Sequence, residues 1–539
     1  MPPRFQSRLY VWSLFVLFLT VLYLPPILMM ITPAKAVSEI EKRPLAAFPA
    51  WHWEIPSIWS FPTKLNAYIR DHFGLRDILV GCRAILSIKV LNSSPVSSLR
   101  IGKEGWFYWN KHQLSEDFRG RHPMSASDRL IFLEGMRCKE QWLAERGIRY
   151  LMVIAPEKQT IYPEYLPEYL QRNKGRTRFD QIRESIVQGY PGLDPLAFLD
   201  LKDALLRQKK RHQIYYRTDT HWNFRGGLVC YEEIAKRLSA WFPDITPNPR
   251  SFFQELVIPN EEGGDLLQQV NAHGVFREDR PIFQPQYVCS GRWSVETIKT
   301  SIPAFGMGCE GAHHKAIVFR DSYFNFVLPF LSEHFAEIIY IWNSYDQTIV
   351  QQMIDTFHPD IVIEEFLERF LSPPVTDHRE NWKVIQAMSQ EHFSAAPIAV
   401  AHIATAKDIL PIHDASIDTG SSPVILNASG IDPYVLLQPT LPPHAIHLYL
   451  KMRISAPAPT ELQAFYLVSG NRKYDEAYSA TVLLSSGWNT VYLTLPGTDF
   501  SGPIRLDPGK APGTYEIESI DIRSDGIGAE GQAPIRGNS

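Results

Sequence analysis

The sequence predicts a three-layer α/β domain with a parallel sheet, a C-terminal β-sandwich and one N-terminal transmembrane helix. Three features of the chain point to this. Between about residues 63 and 371, short apolar strands alternate with amphipathic helices, the pattern of a parallel sheet covered on both faces. From Ser429 onward the helical spacing gives way to strict alternation of apolar and polar residues, the period of half-buried strands. At the other end, Arg4 and Arg8 precede an apolar run from Leu9 to Ile31.

The N-terminal run decides the compartment. About 20 residues at helical rise cross a bilayer core. This run spans, and it exceeds the apolar core of a typical signal peptide. The basic residues ahead of it favour a cytoplasmic N-terminus. An inner-membrane, single-pass anchor with the body in the periplasm is the expectation. Ala34-Lys35-Ala36 fits a cleavage pattern and keeps a removed signal peptide as the alternative.

Five segments follow: 1–36 as cytoplasmic tip and anchor, 37–62 as a Pro- and Trp-rich tether, 63–371 as the α/β domain, 372–425 as a linker with room for one helix, and 426–539 as the sandwich. In the α/β segment, Ser127–Glu145 and Phe224–Trp241 carry apolar residues at helical spacing. Strands are expected at Tyr150–Ala155, Ala316–Phe319, Ile338–Trp342 and Ile361–Ile363, with helices at Asn325–His334 and Thr348–Phe357. In the sandwich, Ile446, Leu448, Leu450, Met452 and Ile454 alternate with polar or amphipathic neighbours, and Val491, Leu493 and Leu495 repeat the period.

Composition narrows the function. The chain has 539 residues, 45% hydrophobic and 21% charged, which excludes general disorder. A single spanning run excludes a polytopic membrane protein. Lys and Arg total 54 against 58 Asp and Glu, so no basic excess advertises nucleic acid. The five cysteines form no CxxC or Cys/His cluster, and no metal site is expected. Cys289 and Cys309 can close a loop in an oxidising compartment; five thiols are the equal alternative. No phosphate-binding glycine loop follows a strand, so no cofactor is called.

The candidate nucleophile is Ser322, directly after the strand Ala316–Phe319, because the C-terminal edge of a parallel sheet is where active sites gather. A serine hydroxyl needs a base, and the base an orienting carboxylate. Arg217–Gly227 (RTDTHWNFRGG) supplies His221 and Asp219. The plainer alternatives are helix capping, by Ser322 at one helix and by Asp219 or Asn223 at the Phe224 helix. Trp222, Tyr323 and Asn343 are candidate sugar contacts at the same edge; Asn343 could equally donate to an oxyanion, and a turn residue is its plainer role. Glu364, Glu365, Glu368 and Arg369 are better explained as solvated charges or a Glu–Arg contact than as an acid/base pair, and His313-His314 as exposed loop residues.

At these residues the chain resembles the alginate O-acetyltransferase family of AlgJ and AlgX. The similarity runs from about Glu41 to Arg369 through EKRPLAAFP (41–49), NAYIRDHFGLRD (66–77), IGKEGWFYW (101–109), VIAPEKQTIYPEYLP (153–167), DTHW (219–222), RDSY (320–323) and PDIVIEEFLER (359–369). The resemblance implies an SGNH-hydrolase-like catalytic domain with Ser322 as nucleophile, His221 as base and Asp219 as its partner. It implies acetyl transfer to a polysaccharide hydroxyl in the periplasm, with a membrane-bound O-acyltransferase as acetyl donor partner. Arg320 departs from the usual Gly-Asp-Ser order and leaves the oxyanion donors unassigned. LNASGIDPYVLL (426–437) and PIRLDPG (503–509) resemble β-modules attached to polysaccharide enzymes, which implies a carbohydrate-binding-module-like sandwich. The rival readings are a carbohydrate acetylesterase using the same residues and a non-catalytic glycan-binding scaffold.

Overall fold

The computed structural model describes residues 3–525 except 39–42, 52–54, 112–113, 125, 191, 273, 286–292, 295–301, 372–377, 419, 431, 442–446, 469–472, 476–477, 497–499 and 511. Cys289 and Ile446 lie outside the described residues.

The apolar N-terminal run forms one helix, α1 (Pro3–Ile31), with Tyr10–Ile31 long and apolar enough to cross a bilayer. The segment expected as a tether packs as it goes: Trp51 meets Phe61 and Phe48 meets Tyr68 edge to face. It leads into two helices, α2 (Ile55–His72) and α3 (Arg76–Lys89). Leu75 between them sits at φ 65°, the left-handed conformation that reverses the chain.

The α/β domain is built on seven strands: β1 (Arg149–Ala155), β2 (Phe198–Asp200), β3 (Trp293–Ser294), β4 (Ala304–Met307), β5 (His314–Phe319), β6 (Phe335–Ile341) and β7 (Ile361–Leu367). Their order is β2-β1-β7-β5-β6-β4-β3. β2, β1, β7, β5 and β6 run parallel, and β4 and β3 close one edge antiparallel. The pleat sorts the side chains. Leu151, Val153, Ala316, Val318, Ile338 and Tyr340 enter one core, under the helix Phe224–Leu238. Tyr150, Met152, Ile317, Phe319, Ile339 and Ile341 enter the other, under the helices Ala126–Ala144 and Gln347–Phe357. The sheet is therefore buried on both faces, as its continuous apolar strands require.

Asn325–His334, expected as one helix, is broken into a 3-10 turn (Tyr323–Phe326), a short α-turn (Leu328–Leu331) and another 3-10 turn (Ser332–His334). Pro329 stands in the first turn of the second segment, where its missing N–H cannot continue a hydrogen-bond ladder from the turn before it.

Residues 372–425 differ most from expectation. They hold a helix (His378–Ala395), three strands (Ile398–Ile403, Ile409–His413, Ala415–Asp418) and the start of a fourth (Val424–Ala428), all four in the sandwich. Several of these strands lie at sheet edges and are partly or fully exposed along most of their length, so they lack the strict apolar alternation of a half-buried strand. The sandwich stacks one sheet centred on Gly513–Ser524 against a second containing Thr460–Phe465. Leu448, Leu450, Met452, Ile454, Val491, Leu493 and Leu495 face its core, matching the alternation. The helix His378–Ala395 clamps the two units together. Its Gln386 exchanges hydrogen bonds with the backbone of Tyr492 at 2.8 and 2.9 Å, and its Glu391 accepts from Trp142 Nε1 at 3.1 Å.

Cys309 is disulfide-bonded, whereas Cys82, Cys138 and Cys230 carry free thiols.

Candidate active site

β5 ends at Phe319, and the chain turns over the sheet edge through Arg320, Asp321 and Ser322. The Asp321 N–H donates to Glu365 Oε2 on β7 at 2.9 Å, and the Asp321 carboxylate accepts from Tyr323 N–H at 2.7 Å. These two bonds fix the turn. Ser322 occupies the cap position of the following 3-10 turn, yet its side chain makes no capping hydrogen bond. Its hydroxyl is turned instead to His221, with Oγ 2.7 Å from Nε2.

The histidine comes from the loop before the helix Phe224–Leu238. Asn223 caps that helix, accepting from Arg225 and Gly226 N–H at 2.9 and 3.3 Å, so Asp219 is left for another task. Asp219 Oδ1 lies 2.6 Å from His221 Nδ1 and also accepts the His221 backbone N–H at 3.0 Å. Ser322, His221 and Asp219 thus form one hydrogen-bonded line at the C-terminal edge of a parallel sheet.

A second acidic residue supports the first. Asp265, at the start of the short helix Asp265–Gln268, gives its backbone N–H to Asp219 Oδ2 at 3.1 Å. Its carboxylate accepts from Thr220 N–H and Thr220 Oγ1, both at 2.7 Å. Gly264 permits the approach, since a Cβ there would stand 2.4 Å from Asp219 Cβ. Glu278 then holds Thr218 through its N–H at 2.9 Å and its hydroxyl at 2.7 Å. Lys158, after β1, donates to Tyr216 O at 2.9 Å and Arg217 O at 3.1 Å. Sequence reading missed Asp265, Thr220, Glu278 and Lys158. The one local signal was Gly263-Gly264-Asp265, which marks a turn and a helix start without pointing to the site.

The charges explain the titration. Burial alone would lower the His221 pKa, but the hydrogen bond and charge of Asp219, then the charges of Asp265 and Asp321, reverse this and raise it. Burial likewise opposes ionisation of Asp219, and the His221 contact overrides it, holding that carboxylate well below its usual range. Burial, then the neighbouring Asp219 charge, pushes Asp265 up to about 6. Burial lowers Lys158 to about 8.

Trp222 and Tyr323 are not where sugar contacts need to be. Each is only 1% exposed. Trp222 Nε1 donates to Tyr323 O at 2.9 Å, and Tyr323 OH donates to Thr220 O at 2.7 Å, so the pair ties the serine loop to the histidine loop. Arg369, ion-paired with Glu157, donates to the same Tyr323 hydroxyl at 3.1 Å. Asn343 lies in the bend just past β6, its N–H returned to Ile341 O at 2.9 Å; no hydrogen bond among the described residues joins its side chain to the Ser322–His221 pair. Glu364, Glu365 and Glu368 are buried, not solvated. Glu364 pairs with Lys139 at 2.9 Å, and Glu368 accepts from Glu157 N–H at 2.6 Å and Thr160 Oγ1 at 2.8 Å. His314 opens β5 and reaches Asp244 at 2.9 Å.

Asp219, His221 and Asp265 bring their ligand-type atoms within 4.8 Å of one another, a spacing compatible with a metal. Those atoms are engaged in the hydrogen bonds above. For the Arg320–Tyr323 turn, the Arg320 N–H goes to Ile341 O at 3.0 Å, and those of Asp321 and Tyr323 are committed as described. The Ser322 N–H has no acceptor among the described residues. The Arg320 guanidinium folds away onto Asn325 Oδ1 at 2.8 Å and over the Trp342 ring at 4.3 Å.

Residues 99–293 match the family described as SGNH hydrolase-like domain, acetyltransferase AlgX. Over this stretch the chain is similar to the AlgJ/AlgX SGNH hydrolase-like acetyltransferase family. The stretch matched to AlgX includes Asp219 and His221 and ends before Ser322. The probable alginate O-acetylase AlgJ of Pseudomonas aeruginosa is 28% identical over 34% of this chain and 43% of its own. The chain spans about half the length of the curated AlgJ relatives it matches, 47% and 59% for those of Pseudomonas syringae and Pseudomonas fluorescens. The O-acetyltransferase domain of Pseudomonas putida AlgJ superposes with a TM-score of 0.33 at 20% identity, over 51% of this chain and 92% of that one. A carbohydrate-binding module of Cellvibrio mixtus lichenase 5A covers 23% of this chain and 98% of its own, at 12% identity and TM-score 0.18.

Proposed function

We propose that the chain is a polysaccharide O-acetyltransferase in which Ser322 carries the acetyl group. The single observation behind this reading is the line Ser322–His221–Asp219, with Oγ to Nε2 at 2.7 Å and Nδ1 to Oδ1 at 2.6 Å. His221 takes the Ser322 proton as Oγ bonds to the acetyl carbonyl carbon. The tetrahedral oxyanion collapses, the donor's leaving group departs with that proton, and an acetyl-serine remains. A glycan hydroxyl then attacks the same carbon, His221 removing its proton and returning one to Ser322 Oγ. Asp219 stabilises the imidazolium in both halves. The Ser322 N–H is the proposed oxyanion donor.

In this reading the acceptor is an alginate-type exopolysaccharide retained by the sandwich, α1 is an uncleaved anchor holding the body in the periplasm, and the acetyl donor is a membrane-bound O-acyltransferase. The test is incubation of the full chain with an acetyl ester and alginate oligosaccharides, followed by mass measurement. A gain of one acetyl that disappears in Ser322→Ala supports the reading. Serine-dependent free acetate without that gain would make the protein an esterase, and normal function of Ser322→Ala in cells would leave only the scaffold.

A further inference from the structure

The hairpin α2–α3 presents an apolar surface that the body does not cover. On α3, Gly81, Ala84 and Ile88 are buried at helical spacing, against a cluster containing Leu266, Leu267 and Val270. Outside that buried line α3 carries Ile78, Leu79, Ile85 and Leu86, all exposed, with Cys82 among them. On α2, Ile58 and Ile69 fall on one helical face and are exposed, as is Phe73 just past the helix end. A cleft of about 690 Å³ opens at this surface, lined by Ile69, Phe73 and Leu79 together with Arg70, Arg76 and Arg83.

The anchor helix fixes where this surface sits. The hairpin's turn is pressed onto α1: a Cβ on Gly74 would lie 2.2 Å from Pro25 O and 2.9 Å from Leu28 Cβ. Pro25 lies six residues before the end of α1 at Ile31. At 1.5 Å per residue that is about 9 Å along the helix from that end. Helices lying in a membrane interface bury their apolar face by about 5–10 Å. Exposed apolar side chains interleaved with arginines are what such a position requires, because the aliphatic stems stay in the acyl boundary while the guanidiniums reach lipid phosphates.

We propose that α2 and α3 form a second membrane contact, with the tip Phe73–Leu79 dipped into the outer leaflet and Arg70, Arg76 and Arg83 on anionic headgroups. Arg76 also reaches Asp77 at 3.8 Å, within the same tip. The buried side of α3 rests on the segment that begins with Asp265, so this contact holds the Ser322–His221 site one helix layer from the bilayer. The inference rests on α1 being a retained anchor.

The test uses the full chain in vesicles of phosphatidylcholine with phosphatidylglycerol, labelled at the native Cys82 with a polarity-sensitive fluorophore. Intact mass and alkaline extraction report the anchor separately. Emission quenched by a lipid-borne nitroxide and shielded from iodide, relative to a label at Val187→Cys in a Cys82→Ser chain, is the expected result. Joint replacement of Arg70, Arg76 and Arg83 by Glu should abolish that lipid quenching while α1 stays membrane-bound. A retained chain whose Cys82 is as open to iodide as position 187 overturns the hairpin contact alone. A chain cleaved after Ala36 and released overturns the anchor and the hairpin together. Shielding that occurs only in native envelope membranes, and not in lipid vesicles, also overturns it and gives the face to a membrane protein.

Discussion

The backbone N–H of Asp265 donates to Asp219 Oδ2 at 3.1 Å, tying together two acidic residues that are 46 positions apart in the chain. One oxygen of Asp219 is thereby spent on a neighbouring turn, and the other is aimed at His221. The orientation of the imidazole is set by a segment that carries none of its own hydrogen-bonding atoms to the serine.

Ser322→Ala should lower acetyl transfer by about a thousandfold or more, and His221→Ala by a similar factor, because members of one catalytic unit fail together. Stability should change little in the serine variant, within about 0.5 kcal/mol, since its side chain caps nothing. Paired rate and melting measurements check both halves; a large melting shift would show that Ser322 has a structural duty.

The pH profile follows from His221. The base must be neutral to act, and its pKa is raised above the usual 6.5, first against burial and then by Asp219, Asp265 and Asp321. Activity should therefore rise with pH through a limb lying above 6.5. Asp265→Asn keeps a carbonyl acceptor for Thr220 but removes a negative charge, so the limb should move to lower pH. An unmoved or upward-shifted limb would remove Asp265 from the electrostatics of the site.

Tyr323→Phe deletes the hydroxyl that donates to Thr220 O and accepts from Arg369. It should cost about 1–3 kcal/mol of stability, as a buried acceptor loses its donor. Turnover should fall more than apparent substrate affinity changes, because the buried residue braces the serine and histidine loops from inside. A change confined to KM would instead make it a substrate contact.

Lys139 and Glu364 are both fully buried and paired at 2.9 Å. Lys139→Ala should destabilise by about 3–5 kcal/mol because it strands a buried carboxylate. Adding Glu364→Gln should recover part of that loss. Denaturant unfolding of the single and double variants reads the difference, and equal losses would show that the pair does not act as one.

The layers were legible in the residue pattern. Short apolar runs at Tyr150–Ala155 and Ala316–Phe319, set between amphipathic helices, fit strands buried on both faces, and the alternation from Leu448 to Ile454 fits a strand buried on one. The sequence also determined which residues are chemically able to act, since Ser322, His221 and Asp219 stand beside strand-end and helix-start signals that need only local spacing. What tertiary structure alone decided is how those signals are used. Asn223 rather than Asp219 caps the helix, and Trp222 and Tyr323 brace loops from inside. Asp265, Glu278 and Lys158 converge on the histidine loop from segments far apart in the chain. Local periodicity records which side of an element is buried; it carries no information about which distant element will cover that side, and the hydrogen bonds that settle a polar residue's role are made to that covering element.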